Sequence, residues 1–134
     1  EGRKRMILVI GGSFQGKREF AAARFAGQRP VNWTHGAYAS LEEVLEAEFI
    51  CGFHQFAERL FRGEIQTDPR QLAGLLRCHL PGRVVTADET GCGIVPLDRQ
   101  MRNIREETGR LLCRMAGESE QVWRVTCGIG QRIK

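Results

Sequence analysis

The chain has 134 residues, with 42% hydrophobic and 27% charged side chains and a formal net charge of +4. This length and balance are typical of one globular domain, here residues 1–134, with a sizeable core. No apolar run approaches the ~20 residues that span a bilayer, which excludes a membrane span, and no signal-peptide pattern is visible. We therefore expect a cytoplasmic protein, with residues 1–5 as a candidate N-terminal extension before Met6.

The charge pattern and the cysteines argue against a nucleic-acid-binding protein, a zinc protein and a disulfide-stabilised protein. Arginines after residue 98 are interleaved with acidic residues, which is typical of a solvated helix face, so we expect no nucleic-acid partner. Five cysteines without a C-x-x-C pair argue against a zinc site and a disulfide framework. Most of these cysteines are expected to be buried thiols.

Strand and helix signals alternate along the chain. Ser40 and Glu43 have the spacing of a capping box, and Asp68 followed by Pro69 is a second helix start. In order, the predicted elements are strand 5–10, helix 18–26, strand 31–34, a helix after Ser40, strand 49–51, helix 54–62, helix 69–79, strand 83–89, helix 97–118 and strand 121–129. This alternation predicts an α/β, three-layer domain with a mainly parallel sheet, whose ligands bind beyond the carboxyl ends of the strands.

The predicted helix 97–118 carries an imperfect apolar stripe that is interrupted at Gly109. A stripe of this kind indicates that one face of the helix packs against the core. Its members are Met101, Ile104, Leu111, Leu112 and Met115.

A glycine-rich loop follows the first predicted strand. The segment "GGSFQGKR" fits the phosphate-loop pattern G-x-x-x-x-G-K-[ST] except at its last position, which is Arg18. Backbone N–H groups in such a loop bind anions, and Lys17 would reach the outer phosphates of GTP or ATP. The alternative is a structural strand-to-helix turn that is merely rich in glycine. The predicted phosphate-binding residues are Gly11, Gly12, Ser13, Phe14, Gln15, Gly16, Lys17 and Arg18.

Arg18 stands where a hydroxyl would normally bind the Mg²⁺ ion of a nucleotide. Its side chain either points at the phosphates and neutralises charge that the ion would cover, or points outward as a surface residue. A carboxylate at another strand end could then hold Mg²⁺ directly or through water.

Two acidic residues, Asp88 and Glu89, end the predicted strand 83–89. At the sheet edge they could bind Mg²⁺ or accept a proton from a substrate hydroxyl. A turn-capping pair is the alternative. His54 is interpreted as a half-buried structural residue rather than a catalytic one.

Three segments together resemble the adenosylcobinamide kinase / adenosylcobinamide-phosphate guanylyltransferase family of cobalamin biosynthesis. They are "ILVIGGSFQGK", "VVTADETGCGIVPLDRQMRNIREETGRLLCRMA" and "VWRVTCGIGQRIK". The resemblance implies a RecA-like P-loop domain, a homo-oligomer, and nucleotide and corrinoid substrates. It also implies catalytic roles for Lys17 and Glu89. Residues implied to contact substrate or a neighbouring subunit are Gly91, Gly93, Pro96, Arg102 and Arg105.

The sequence departs from the family pattern at three places. Arg18 replaces the loop serine, Phe25 stands where the family has a guanylylated histidine, and the middle of the chain is shorter by roughly forty residues. Two hypotheses follow: an enzyme that transfers a phosphoryl group, GMP or both to a corrinoid, and a non-catalytic module that binds the nucleotide or the corrinoid.

Overall fold

A computed structural model of the chain describes residues 5–89 and 98–134. The strands are β1 (Ile7–Gly11), β2 (Trp33–His35), β3 (Phe49–Cys51), β4 (Val84–Asp88), β5 (Gln121–Thr126) and β6 (Ile129–Arg132). The helices are α1 (Lys17–Ala21), continued by a π-helical segment (Ala22–Ala26), then α2 (Leu41–Glu46), α3 (Phe53–Phe61), α4 (Pro69–His79) and α5 (Arg99–Glu118). No helix in these two ranges is long and apolar enough to cross a membrane.

The strands form one sheet in the order β2-β3-β4-β1-β5-β6. The first five strands of this order pair in parallel, and β6 pairs antiparallel to β5 at the edge. The carboxyl ends of the parallel strands therefore meet at one edge of the sheet. The prediction of a mainly parallel α/β sheet is confirmed.

Helices cover both faces of the sheet because neighbouring residues on a strand point to opposite sides. Leu8 of β1 belongs to a core cluster with residues of α2, α3, α4 and α5, whereas Val9 belongs to a second cluster beneath α1 and the π-helical segment. Trp123 of β5 packs in this second cluster against Phe20 and Phe25. The three-layer prediction is confirmed.

The local start signals act as predicted. The hydroxyl of Ser40 accepts a hydrogen bond from the backbone N–H of Glu43 (3.1 Å), and the Glu43 carboxylate accepts one from the backbone N–H of Ser40 (2.8 Å). Asp68 caps α4 by accepting the N–H of Arg70 at 2.9 Å. These bonds satisfy backbone donors that the first helical turn leaves free.

Arg83, directly before β4, is fully buried and connects the sheet to two helices behind it. Its guanidinium group donates hydrogen bonds to carbonyl oxygens at the ends of α2 and α4, and burial lowers its pKa to about 10. The side chain is therefore charged at neutral pH. The acceptors and donor–acceptor distances are Ala47 (2.5 Å), Val44 (2.7 Å), Leu45 (3.0 Å) and Leu76 (3.1 Å).

Two strand predictions need correction. The single strand at 121–129 is wrong, because Cys127 and Gly128 have positive φ angles of 51° and 77° and reverse the chain between β5 and β6. Two consecutive positive φ angles are typical of a tight hairpin turn. The predicted strand 31–34 forms as β2, Trp33–His35, because its pairing with β3 sets its bounds.

The apolar stripe of α5 is also only partly correct. Met101 is 48% exposed, whereas Thr108 is buried in line with the other members of the stripe. The prediction of mostly buried cysteines is wrong for three residues, Cys78, Cys113 and Cys127, which lie on solvent-facing helix surfaces or in the β5–β6 turn. The predicted loop 90–96 lies outside the described residues.

Candidate phosphate-binding site

The glycine loop between β1 and α1 lies directly against the end of β5. A side-chain carbon added at Gly11 would lie 2.5 Å from the carbonyl oxygen of Val125. One added at Gly16, whose φ angle is 85°, would lie 3.3 Å from the Cα atom of Gly128. Glycine is needed at both positions because the backbones approach closely, and Gly16 also has a left-handed conformation.

Gln15 fixes the loop to the β5–β6 turn. Its side-chain oxygen accepts the backbone N–H of Cys127 at 2.6 Å, and its backbone carbonyl accepts the N–H of Gly128 at 2.8 Å. The preceding residue, Phe14, has a φ angle of 61° and a fully exposed side chain. The loop conformation is thus maintained by tertiary contacts as well as by its glycines.

Asp88, the last residue of β4, binds two side chains of the loop. Its Oδ1 atom lies 2.7 Å from Nζ of Lys17, which also donates to the carbonyl of Gly12 at 2.8 Å. Its Oδ2 atom accepts a hydrogen bond from the hydroxyl of Ser13 at 2.7 Å. Burial alone would raise the pKa of Asp88, but the hydrogen bonds from Lys17 and Ser13, with the charges of His54 and Lys17, lower it overall.

His54, in the first turn of α3, contacts the same aspartate. Its Nδ1 atom accepts the backbone N–H of Asp88 at 3.0 Å, and its Nε2 atom lies 3.5 Å from Oδ2 of Asp88. Because Nδ1 is an acceptor, the neutral ring carries its proton on Nε2, facing the carboxylate. Burial lowers the pKa of His54, although the neighbouring Asp88 and Glu58 charges oppose this effect.

A cleft of about 600 Å³ opens beside these groups at the carboxyl ends of the strands. His35, the last residue of β2, and Cys51, the last residue of β3, line it on the side away from β5. Burial raises the pKa of Cys51, and the charge and hydrogen bond of Arg18 act in the opposite direction. The described lining residues are Ser13, Phe14, Gln15, Gly16, Lys17, Arg18, Glu19, His35, Cys51, Gly52, His54, Gln55, Thr86 and Asp88.

The structure brings most of the predicted phosphate-binding residues to one cleft and separates the two acidic candidates. Residues 13–18 line the cleft, with Gly11 and Gly12 forming the adjoining backbone. Asp88 lines the cleft, whereas Glu89 is not among the described residues that line it. The carboxylate of Glu89 forms a bidentate pair with Arg124 of β5, at 2.9 and 3.1 Å.

The other predicted contact residues follow the second loop. Arg102 and Arg105 lie in the first half of α5 and are not among the described residues that line the cleft. Gly91, Gly93 and Pro96 lie outside the described residues.

Sequence reasoning missed that histidines take part in this cleft. His54 is half-buried, as predicted, but it contacts Asp88 and lines the cleft together with His35. Both histidines lie at or just after the carboxyl end of a parallel strand, which is where ligands bind in such sheets. Their position relative to the strand ends was therefore the available signal.

The described residues do not fit a usual Mg²⁺ site. Arg18 supplies no hydroxyl oxygen, both oxygens of Asp88 are occupied by Lys17 and Ser13, and Glu89 is paired with Arg124. Within the described part of the chain, no three His, Cys, Asp or Glu side chains form a group that could hold a metal ion. Mg²⁺ prefers several oxygen ligands in octahedral geometry.

Residues 28–133 match the family model described as cobinamide kinase / cobinamide phosphate guanyltransferase. The chain is 41% identical over 78 residues to the bifunctional adenosylcobalamin biosynthesis protein CobU of Salmonella typhimurium, covering 58% of this chain and 40% of that protein. It is 38% identical over 82 residues to the protein of the same name from Escherichia coli, covering 60% and 42%. The match therefore spans about two fifths of the length of each of these relatives.

Proposed function

Because the chain belongs to the cobinamide kinase / cobinamide phosphate guanyltransferase family, we propose that it binds GTP or ATP in this cleft and transfers a phosphoryl group to a corrinoid hydroxyl. The observation that carries the proposal is the ion pair between Lys17, which follows the glycine loop after β1, and Asp88, which lies at the carboxyl end of the neighbouring β4. This pair places a cation that can bind phosphate next to a carboxylate that can accept the proton of a substrate hydroxyl. The names of the two bacterial relatives, which refer to adenosylcobalamin biosynthesis, support the corrinoid substrate.

In the proposed reaction the backbone N–H groups of the loop and the ammonium group of Lys17 bind the phosphates. The positive charge of Lys17 offsets the negative charge of the phosphate oxygens. When a phosphate replaces Asp88 at Lys17, Oδ1 of Asp88 becomes available to the acceptor hydroxyl. The hydroxyl oxygen forms a bond to the γ-phosphorus, the bond from that phosphorus to the bridging oxygen breaks, and the nucleoside diphosphate leaves. The hydroxyl proton passes to Asp88, which His54 and Ser13 hold in place.

Transfer of GMP is the second candidate reaction, and the presence of two imidazole rings in the cleft favours it. The Nδ1 atoms of His35 and His54 accept backbone N–H groups, so each neutral ring carries its proton on Nε2, which must lose that proton before it can attack a phosphorus atom. We propose that Nε2 of one of these residues bonds to the α-phosphorus of GTP as pyrophosphate leaves, and that its proton passes to a base, which for His54 is Asp88. Intact-protein mass spectrometry after incubation with GTP should then show a mass increase of one GMP, which His35→Ala or His54→Ala abolishes.

A non-catalytic binding module is the alternative, and the limited coverage of the relatives supports considering it. Such a module would bind nucleotide without consuming it.

We propose that the chain forms a homo-oligomer, as the family resemblance implies, and light scattering of the purified protein tests this.

The deciding experiment incubates the protein with adenosylcobinamide and GTP or ATP and identifies the corrinoid product by mass spectrometry. Lys17→Ala should abolish both nucleotide binding and product. The matched control is Arg29→Ala, which removes a cation from an exposed pair with Glu48, next to the amino end of β3, and should leave product formation intact. Nucleotide binding without any corrinoid product, by the wild-type protein, would establish the binding module instead.

A further inference from the structure

Arg18 occupies the position that supplies a metal-binding hydroxyl in the usual phosphate loop. The structure assigns its side chain to the cleft, because Arg18 lines the same cavity as Lys17, His54 and Asp88. Burial raises the pKa of the Cys51 thiol, at the carboxyl end of β3, and the charge and hydrogen bond of the Arg18 guanidinium group oppose this rise. Arg18 therefore lines the cleft and does not point away from the site.

The two cations of the cleft have different partners. Lys17 is paired with Asp88 at 2.7 Å and is largely buried. Across residues 5–89 and 98–134, no carboxylate forms an ion pair with Arg18. Arg18 therefore brings to the cleft a positive charge that no described carboxylate offsets by direct pairing.

The carboxylates near the cleft are poorly placed to hold a metal ion. Oδ2 of Asp88 accepts from Ser13 and faces Nε2 of His54, and Oδ1 contacts Lys17. Glu89 is bound to Arg124 in a bidentate pair. Glu19 is exposed at the rim, next to Arg18 in α1, and among the described residues it belongs to no group of three potential metal ligands.

We propose that the cleft binds the phosphate chain of its ligand without requiring Mg²⁺, with the guanidinium group of Arg18 as the counter-charge in place of the ion. A guanidinium group is planar, permanently charged at neutral pH and able to donate two parallel hydrogen bonds to phosphate oxygens. It therefore supplies charge and direction together, which is what a bound Mg²⁺ ion supplies in the usual loop. This inference rests on the proposed function, and it names the part of the ligand that Arg18 recognises.

The test measures equilibrium binding of GTP and of inorganic tripolyphosphate by calorimetry, in excess MgCl₂ and in EDTA. For the wild-type protein we expect dissociation constants within about threefold of each other in the two conditions. Arg18→Ala should weaken binding in EDTA by about tenfold or more, which is the loss expected for a charge-assisted hydrogen bond. Arg18→Ser restores the hydroxyl and should make binding tighter in MgCl₂ than in EDTA.

The matched control is Arg24→Ala, which removes a positive charge from the adjoining π-helical segment. Arg24 lies over the ring of Trp123 at 5.0 Å, and it is not one of the described cleft residues. Its substitution should change the dissociation constants by less than about twofold. Circular dichroism and thermal unfolding of all variants establish that each one is folded, and Arg18→Lys should recover part of the affinity because it keeps the charge.

The two ligands separate this inference from the proposed function. Binding of tripolyphosphate in EDTA that depends on Arg18 supports the inference, even where GTP and ATP give no corrinoid product. Wild-type binding that is lost in EDTA, equal binding by Arg18→Ala, or absence of binding to both ligands overturns it.

Discussion

The ammonium group of Lys17 and the carboxylate of Asp88 form a 2.7 Å ion pair between the glycine loop and the end of β4. A phosphate group that binds Lys17 must therefore compete with Asp88. Asp88 has two opposing effects in this arrangement: it holds Lys17 in the cleft, and it lowers the affinity of Lys17 for an anion.

Asp88→Asn should separate these effects. Loss of the negative charge removes the competitor, so the affinity for GTP or tripolyphosphate should rise by about threefold to tenfold. Phosphoryl transfer should fall by about a hundredfold or more, because the amide cannot accept the hydroxyl proton. Calorimetry and product formation measure the two quantities. Glu89→Gln, which removes the neighbouring carboxylate and keeps the ion pair, serves as the control, so a similar loss of turnover in that variant would contradict the role of Asp88.

Glu89→Gln should have a much smaller effect on the site. The Glu89 carboxylate binds Arg124 and not the glycine loop, so ligand affinity should stay within about twofold of the wild-type value. The free energy of unfolding should fall by no more than about 1 kcal/mol, as for other partly exposed pairs. Denaturant unfolding and calorimetry check both values, with Arg124→Gln as the matched variant. A larger loss of turnover in Glu89→Gln than in Asp88→Asn would return the catalytic assignment to Glu89.

His54 should make the stability of the protein depend on pH. Its pKa is lower in the folded chain than its usual value, so below about pH 6.5 the unfolded chain binds the proton first. The free energy of unfolding should therefore fall as the pH drops through this window. His54→Asn keeps an acceptor for the N–H of Asp88 but does not titrate, so its urea unfolding should vary less between pH 7 and pH 5. If the free energy of unfolding varied with pH in the same way in both proteins, His54 would not contribute to this pH dependence. The groups that face His54 are Asp88, Glu58, Lys17 and His35.

Gln15→Ala should weaken ligand binding without a large loss of stability. The substitution removes the 2.6 Å bond to the N–H of Cys127 but keeps the backbone bond to Gly128, so the loop loses one of two ties to the β5–β6 turn. We expect affinity for tripolyphosphate to fall by about threefold to tenfold, because binding must then also order the loop. Gln71→Ala, which removes the same side chain from an exposed position of α4 that is not among the described cleft residues, is the control and should bind like the wild type. Equal affinities of wild type and Gln15→Ala would show that the tie does not preorganise the loop.

Arg83→Met should destabilise the fold strongly. The guanidinium group of Arg83 binds four carbonyl oxygens at the ends of two helices, and methionine removes all four of these hydrogen bonds from the core. The expected loss is about 2–4 kcal/mol in the free energy of unfolding, measured with urea. Arg59→Met is a useful comparison, because Arg59 binds two carbonyl oxygens, those of Gly36 and Ala39, and the exposed carboxylate of Glu64, so its loss should cost less. A loss below that of Arg59→Met would mean that solvent replaces Arg83.

Much of the fold could be predicted from local signals. The capping box at Ser40 and the start of α4 at Pro69 depend on residues only a few positions apart, so the sequence contains the whole cause. The turn at Cys127 was missed because its positive φ angle falls on a residue that rarely adopts one, and it is fixed by contact with Gln15 of the distant glycine loop.

The sequence by itself determined that a glycine loop with a lysine follows the first strand, and that two acidic residues stand at the end of the predicted strand 83–89. Only the tertiary structure decided which of the two acids meets the lysine. Consecutive residues of a strand point to opposite sides, so Asp88 turns to Lys17 beneath α1, and Glu89 turns to Arg124 of β5. The order of the strands, with β4 and β5 on the two sides of β1, brings these partners from distant parts of the chain into contact. No local pattern contains that order, because it results from packing the helices on both faces of the sheet.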